Sequence, residues 1–494
     1  MNKTKGQLKL QLSYLPLTVA LITLPYLLTR KSPPGYIIGG DTLVHTAIAR
    51  GIRLGRNPFL DQTYNVYPNW YPFLYHVLVA GVASLLRISI EQAMVLLQAV
   101  LAVSMVLAMF YIARELWGEN AGLWSASLSL MLLTAHIYPN PKELAPILGM
   151  MSLMWFIKRR WLLSGFFLGL ALWAHYAFVS PLLAFPLLFA ILKREKRAVL
   201  TFIVALIMFS PFIINVVIHA ETAPHVEDIY QFWRTDTLGN KILSLIPPFY
   251  LIPFLLFGLV KEVKSKDEAV KTLLLFVVVV WLARLSPEIL KFFGIILWSN
   301  RFTGLLPYIY TLLGAYGASR IDIERNKTAN ISLFILLILF ILLILLPVAS
   351  ALNFWTSVNR DPFVGLSGID FKEYCPEEHF LDVSDWILKH TERDDVIATS
   401  EEAGMMLNAL TGRPIIATMY GHGNTFLDNE RRRKDLATLF TGSCEEKRLI
   451  AEKYHVKYIV LEPFVYEKWG NIDVSCIATP VYRIGNMTIL EVRK

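Results

Sequence analysis

The chain has 494 residues, of which 55% are hydrophobic, 13% aromatic and only 17% charged. A soluble protein of this length would carry more charge, and the apolar residues crowd into long runs before Leu352, so an ordinary water-soluble enzyme is excluded. Much of the basic excess, a formal +8, lies in short clusters between apolar runs, the way a membrane protein sets its orientation, and is not a nucleic-acid footprint.

A helix needs about 20 apolar residues to cross a bilayer, with about 17 tolerated. In chain order the candidate spans are residues 11–29, 92–112, 121–137, 143–157, Trp161–Leu192, 199–218, 242–260, 272–285, 303–319 and 329–352. The first run is too long for a signal core and lacks a small-residue cleavage site. It is read as the first span, with Lys3, Lys5 and Lys9 in the cytoplasm. Basic clusters at Arg114, 158–160, 193–197, 261–271 and 320–327 are placed on the same side. Trp161–Leu192 is then basic at both ends and must cross twice, turning near residues 175–180 in two arms shorter than usual. The same rule keeps residues 70–86 from crossing and leaves them juxtamembrane or re-entrant within one large outer loop, residues 30–91. About eleven spans result. The expected fold is a polytopic α-helical membrane domain over residues 1–352 and a soluble α/β domain outside the membrane over residues 353–494.

In that second domain the patterns predict helices over 383–389, 402–410 (stopped near Gly412) and 444–453. Strands are predicted over 395–399, 414–418 and 457–461, with a closing hairpin over 482–492. Helices alternating with short apolar strands point to a small, mostly parallel sheet. Gly421-His422-Gly423 is too short to be a phosphate loop. All three cysteines, Cys375, Cys444 and Cys476, fall here, which allows one disulfide of open pairing and one odd thiol. The sequon at Asn326 faces the cytoplasm in this topology, whereas Asn486-Met487-Thr488 lies outside.

Ionisable groups at membrane depth are costly and usually functional, and the informative ones gather on the outer side. Asp41 follows two glycines, and His45 lies one helical turn on; Asp41 suits either a helix N-cap or a general base. Lys142 and Glu143 open a later span, where the acid also suits the helix dipole. His175 sits at the hairpin turn among aromatics, as a packed core histidine or as a ligand. Asp41, Glu143 and His175 together compose a set able to take a divalent metal such as Mg or Mn. Arg301 stands just before a span, able to snorkel or to clamp a phosphate, and Arg284 lies near the outer end of another. The loop over 219–241, with His225, Glu227 and Asp228, is most simply solvated. Tyr64, Tyr67 and Trp70 form an interfacial aromatic belt or line a sugar or lipid site.

Gly40-Asp41, then Tyr71-Pro72-Phe73-Leu74-Tyr75, then a span ending Arg114-Glu115-Leu116-Trp117-Gly118 resembles the GT-C superfamily of membrane glycosyltransferases. Gly169-Leu170-Ala171-Leu172 and Asn300-Arg301-Phe302 with Pro307 also fit, so the resemblance covers residues 10–319. It implies a sugar donor on a polyprenyl phosphate or diphosphate, delivered from the membrane lipids, and an acceptor glycan, lipid or protein. It implies that Asp41 acts at the catalytic centre as general base with Glu143 assisting, sometimes through a divalent metal, and that Arg301 holds the donor phosphate with Lys142 and Arg284 behind it; His45, one turn from Asp41, is read from the residues as part of the same catalytic set. The chain departs from the family where Asp41 is followed by Thr42 and where the second acidic motif is reduced to Glu143. It lacks a Trp-Trp-Asp-Tyr-Gly motif, which speaks against an asparagine-linked oligosaccharyltransferase. The segment from Ser384-Asp385-Trp386-Ile387 to Gly412-Arg413 looks like the outer tails of archaeal and bacterial GT-C-like proteins. A lipid-linked-glycan transporter or flippase would show related halves and charges at the midplane, and neither is visible. An inactive member serving in binding or assembly is the other alternative.

Overall fold

The computed structural model describes residues 40–129, 132, 141–221, 236–265, 267–293, 299–321 and 377–493. The spans expected at 11–29 and 329–352, the sequon at Asn326, Cys375, and the loop residues His225, Glu227 and Asp228 lie outside the described residues. In chain order the helices of ten residues or more among the described residues are α1 (Gly40–Arg53), α2 (Leu74–Leu86), α3 (Ile90–Trp117), α4 (Glu119–Ser129), α5 (Leu144–Ile157), α6 (Trp161–Leu192), α7 (Val199–His219), α8 (Ile252–Ser265), α9 (Glu268–Leu290), α10 (Leu306–Ser319), α11 (Glu377–His390), α12 (Glu401–Thr411), α13 (Asn429–Thr441) and α14 (Cys444–Lys453). The strands are β1 (Val396–Ala398), β2 (Val456–Leu461), β3 (Ala478–Ile484) and β4 (Met487–Val492). The described residues fall into two units, one of 95–210 with 236–321, the other of 40–94, 211–221 and 377–493.

Among the described residues four helical segments are long and apolar enough to cross a membrane: Ile90–Trp117, Trp161–Leu192, Lys196–His219 and Glu268–Phe293. One of them, α6, is folded back on itself. Trp161 and Phe189 are 28 positions apart, about 42 Å along a straight helix, yet each ring centroid lies 5.0 Å from that of Phe156. The break is at His175, whose φ of −165° and ψ of 94° are extended, not helical. The first arm packs closely on α7: a Cβ on Gly165 would lie 2.7 Å from the Val204 Cβ, and one on Gly169 2.8 Å from that of Met208. Ser152 and Ser164 bond reciprocally to each other's carbonyls at 2.8 and 3.0 Å, the small-residue contact that helices use where lipid supplies no hydrophobic drive. Helix α2 has 13 residues and rises only about 20 Å, short of a hydrocarbon core of about 30 Å. The span expected over 242–260 is interrupted, with a short helix Leu238–Leu243 and a turn Phe249–Leu251 before α8. Pro247 and Pro248 lack the N–H that a continuous helix would need there.

In the other unit the sheet order is β1-β2-β4-β3. Only β1 and β2 run parallel, and the other two pairings are antiparallel, so the expected mostly parallel sheet is mixed: the terminal hairpin returns onto β2. Residues 414–418 form no full strand but a single parallel bridge, Ile397 to Ile415, because the Ile415 N–H donates to the Thr63 carbonyl of the first loop at 2.8 Å. Local signals set the helices. The Ser400 hydroxyl caps α12, which ends at Gly412 with φ +72°, the left-handed geometry glycine adopts freely. Ser443 and Glu446 form a capping box at α14. Cys444 pairs with Cys476.

The core of this unit combines both stretches of sequence. Leu43, Val44 and Ile48 of α1 and Tyr64 pack in one buried cluster with Phe380, Val383, Ile387, Ile397, Leu407, Val460 and Ile489. Polar seams run alongside. Arg50 donates to the Ala409 carbonyl at 2.6 Å and pairs with Glu91, Arg56 with Asp394 at 3.2 Å, and Asn424 donates to Asp61 at 2.8 Å.

Candidate active site

In the first unit three irregular segments converge. A 3-10 turn, Pro141–Glu143, carries Lys142 and Glu143; the break in α6 carries His175; and a second 3-10 turn, Asn300–Thr303, carries Arg301. Glu143 and His175 are buried and the two cations half-buried. The charges of Arg301 and Lys142 both bear on His175, so distant stretches of chain bring two cations around one imidazole. The turns are held tightly. A Cβ on Gly304 would lie 2.1 Å from the Phe178 ring, which itself stands 4.7 Å from His175, so only glycine lets the Arg301 turn approach the break. Gly149 of α5 is similarly within 3.2 Å of Leu305 and Val179 for an added Cβ.

Arg284 lies near the C-terminal end of α9. Its Nη1 and Nη2 each lie 2.6 Å from a carboxylate oxygen of Asp236, and its Nε and Nη1 donate to Ser244 at 2.9 Å and Ser299 at 3.0 Å. The side chains of Arg284 and Asp236 are 3% and 9% exposed. Its donor fork is thus committed to protein, and since Ser299 precedes the Asn300–Thr303 turn, Arg284 anchors the segment bearing Arg301. Asp236 was not singled out by sequence reasoning; 48 positions separate the partners, and no local signal joins them.

One turn before Arg284 on α9, Trp281 begins an apolar cavity of about 370 Å³, lined by residues of α8, α9 and α10 including Leu255, Leu274, Val277 and Tyr310. It reaches from Trp281 to Val270, about 16 Å along the helix. Its polar edge is satisfied, for Trp281 donates to the Tyr310 hydroxyl at 2.9 Å and that hydroxyl to the Leu245 carbonyl at 2.6 Å.

In the second unit Asp41 lies in the first turn of α1, with His45 one turn on. The His45 Nδ1 is 3.1 Å from the His76 Nε2. The aromatic residues divide. Tyr64 lines no surface; its hydroxyl is 2.8 Å from the Thr418 hydroxyl and donates to Asn429 at 3.2 Å, with Arg432 4.4 Å over its ring. Trp70 packs against the unit's core. Tyr67 is 39% exposed and stacks on His219 at 4.6 Å. Among the described residues no group of three or more His, Cys, Asp or Glu side chains is placed to hold a metal ion.

No protein-family model matches the chain, and no curated protein matches it in sequence. Solved structures do match in fold. The archaeal oligosaccharyltransferase AglB from Archaeoglobus fulgidus, solved with an inhibitory peptide and a dolichol-phosphate, superposes with a TM-score of 0.56 at 14% identity over 91% of this chain and 69% of its own. ArnT from Cupriavidus metallidurans, bound to undecaprenyl phosphate, gives 0.52 at 12% identity over 98% of both chains. The arabinofuranosyltransferase AftD from Mycobacteria gives 0.55 at 14% identity over 97% of this chain and 40% of its own. The chain therefore shares the fold of these solved structures, the GT-C fold.

Proposed function

We propose that the protein is a membrane glycosyltransferase that moves a sugar from a polyprenyl-phosphate-linked donor to an acceptor at the outer face. The observation that carries this is the convergence of Lys142, Glu143, His175 and Arg301 at three irregular turns, in a fold whose solved members include proteins bound to polyprenyl phosphates. A phosphate held by Arg301 and Lys142 would extend its prenyl chain into the apolar cavity that starts one turn from Arg284, whose size and lining suit an apolar ligand. About eleven spans, a cytoplasmic N-terminus and an outer terminal segment complete the reading, and the fold-back of α6 supports that topology.

In this reaction Asp41 takes the proton of the acceptor hydroxyl. The freed oxygen forms a bond to the anomeric carbon as the bond from that carbon to the lipid phosphate breaks. The phosphate leaves with its charge neutralised by Arg301 and Lys142, which bind the leaving group more strongly as its charge grows. Arg301 and Lys142 both bear on His175, a charge that disfavours a further cation there, and the chelator arm of the test decides whether Mg or Mn takes part. The test is sugar transfer by lipid-reconstituted protein over a panel of polyprenyl-phosphate sugars, with envelope extract as acceptor, with and without chelator. Transfer by wild type that Asp41→Asn and Arg301→Gln lose while still folded supports the reading. Equal transfer by wild type and Asp41→Asn, or none from any donor, removes it.

A further inference from the structure

The fold-back of α6 brings two basic loops to one end of the first unit. Residues 158–160 precede α6 and residues 193–197 follow it, and the Arg159 guanidinium meets the Glu195 carboxylate across them at 3.0 Å. The Thr201 hydroxyl, in the first turn of α7, donates to the Trp161 carbonyl at 3.1 Å, which fixes the loops side by side. Together they hold seven basic residues and one acid, Glu195. Lys158 is paired with Glu115 and Arg159 with Glu195. Arg160, Lys193, Arg194, Lys196 and Arg197 are exposed and make no ion pair among the described residues. Two of the arginines occupy backbone that suits glycine: Arg159 has φ +57° and Arg194 φ +53°, the left-handed region in which a residue with a Cβ is strained. Within one turn of the cations the helices turn apolar side chains outward. Leu162, Leu192 and Leu200 are exposed, and Ile191 is 74% exposed.

We propose that this end of the helices is a binding surface for anionic phospholipid, whose headgroup is held by Arg160, Arg194 and Arg197 and whose acyl chains lie on Leu162, Ile191 and Leu192. Charge complementarity selects the occupant. Unpaired cations at the end of a membrane-crossing helix attract a negative headgroup, and the planar arginine fork takes phosphate oxygens in pairs. The apolar flank suits the lipid tails, from which a soluble phosphate gains nothing. Arginine in place of glycine at two left-handed positions points the same way, since the backbone alone favours the smaller residue. The surface lies about 21 Å along the first arm of α6 from the break at His175. It is therefore separate from the sugar-transfer site, and the proposal stands independently of the glycosyltransferase reading.

The test titrates full-length protein in neutral detergent with phosphatidylglycerol and, separately, with phosphatidylcholine, reading bound lipid by native mass spectrometry. Wild type is expected to bind phosphatidylglycerol about 10-fold or more tightly than phosphatidylcholine, each cation near the headgroup contributing roughly fivefold. The joint variant Arg160→Gln, Arg194→Gln, Arg197→Gln should lose that preference and keep its phosphatidylcholine binding. The same charge removed from the terminal segment, by Arg431→Gln, Arg448→Gln and Arg483→Gln at exposed positions, should leave the preference intact. Arg194→Gly separates side chain from backbone. Without lipid it should melt no lower than wild type, because glycine relieves the left-handed strain, yet it should bind phosphatidylglycerol roughly fivefold more weakly. Equal affinity of wild type for the two lipids overturns the proposal whatever the variants do. A preference that survives in the first triple variant, or that the second loses equally, overturns it too, as does unchanged affinity in Arg194→Gly. Displacement of phosphatidylglycerol by millimolar inorganic phosphate at constant ionic strength would make the site one for a free anion and would likewise end the proposal.

Discussion

Removing the Asp236 carboxylate tests whether Arg284 is a tether or a phosphate ligand. In the folded protein Arg284 meets Asp236 through two parallel 2.6 Å bonds, with Ser244 and Ser299 taking further donors, and both side chains are almost wholly enclosed. Attraction within such a pair is opposed by the cost of desolvating both ions, so its net worth is small, but removing one partner strands the other charge. Asp236→Ala should therefore cost about 3–5 kcal/mol, whereas the joint replacement Arg284→Met with Asp236→Leu should recover most of that loss. Unfolding in mixed detergent micelles, followed for wild type, both single variants and the double variant, reads the values directly. The double variant should also keep sugar transfer, since Ser299 still donates to the Arg284 backbone carbonyl at 2.8 Å and Arg301 is untouched. A loss below about 1 kcal/mol for Asp236→Ala, the scale of an exposed pair, would refute the argument. So would a stable double variant that transfers no sugar, which would return Arg284 to the donor phosphate.

The other predictions concern the second unit. Tyr64→Phe leaves the buried Thr418 and Asn429 without that hydroxyl, at a cost of about 1–3 kcal/mol, read from the melting of this unit. Burial pushes the Tyr64 phenol up to about 12, so the unfolded chain ionises first; wild type should lose stability as pH rises from about 10 toward 12, and Tyr64→Phe should lose less over that window. Ile48→Ala, at a position 1% exposed, should cost about 2–5 kcal/mol, and hydrogen exchange should report the loss in the terminal segment as well as in α1. Reducing the Cys444–Cys476 bond, which closes a loop of sequence separation 32, should lower stability by about 3–4 kcal/mol, measured by melting with and without reductant.

Several features were legible because their causes are local. The 32-residue apolar run Trp161–Leu192 has basic residues at both ends, and length with charge was enough to require a turn near His175. Ser400 and Gly412 bracket α12, and the Ser443–Glu446 box opens α14; each places its signal within a turn of its effect. Helix α13, by contrast, was missed. It carries Arg431-Arg432-Arg433-Lys434, a charged run that hides the buried face formed by Leu436, Leu439 and Phe440.

The sequence by itself determined a membrane-embedded helical chain with an α/β terminus and named the turn residues Lys142, Glu143, His175 and Arg301, because hydropathy, charge and cap chemistry act over a few residues. Only the tertiary structure decided that the sheet is mixed, that Tyr64 is core, that Arg284 belongs to Asp236 and that His45 belongs to His76. Those outcomes are pairings across tens to hundreds of residues. In each, burial forces a polar or apolar group to find a partner, and which partner is available depends on the packing of the whole unit.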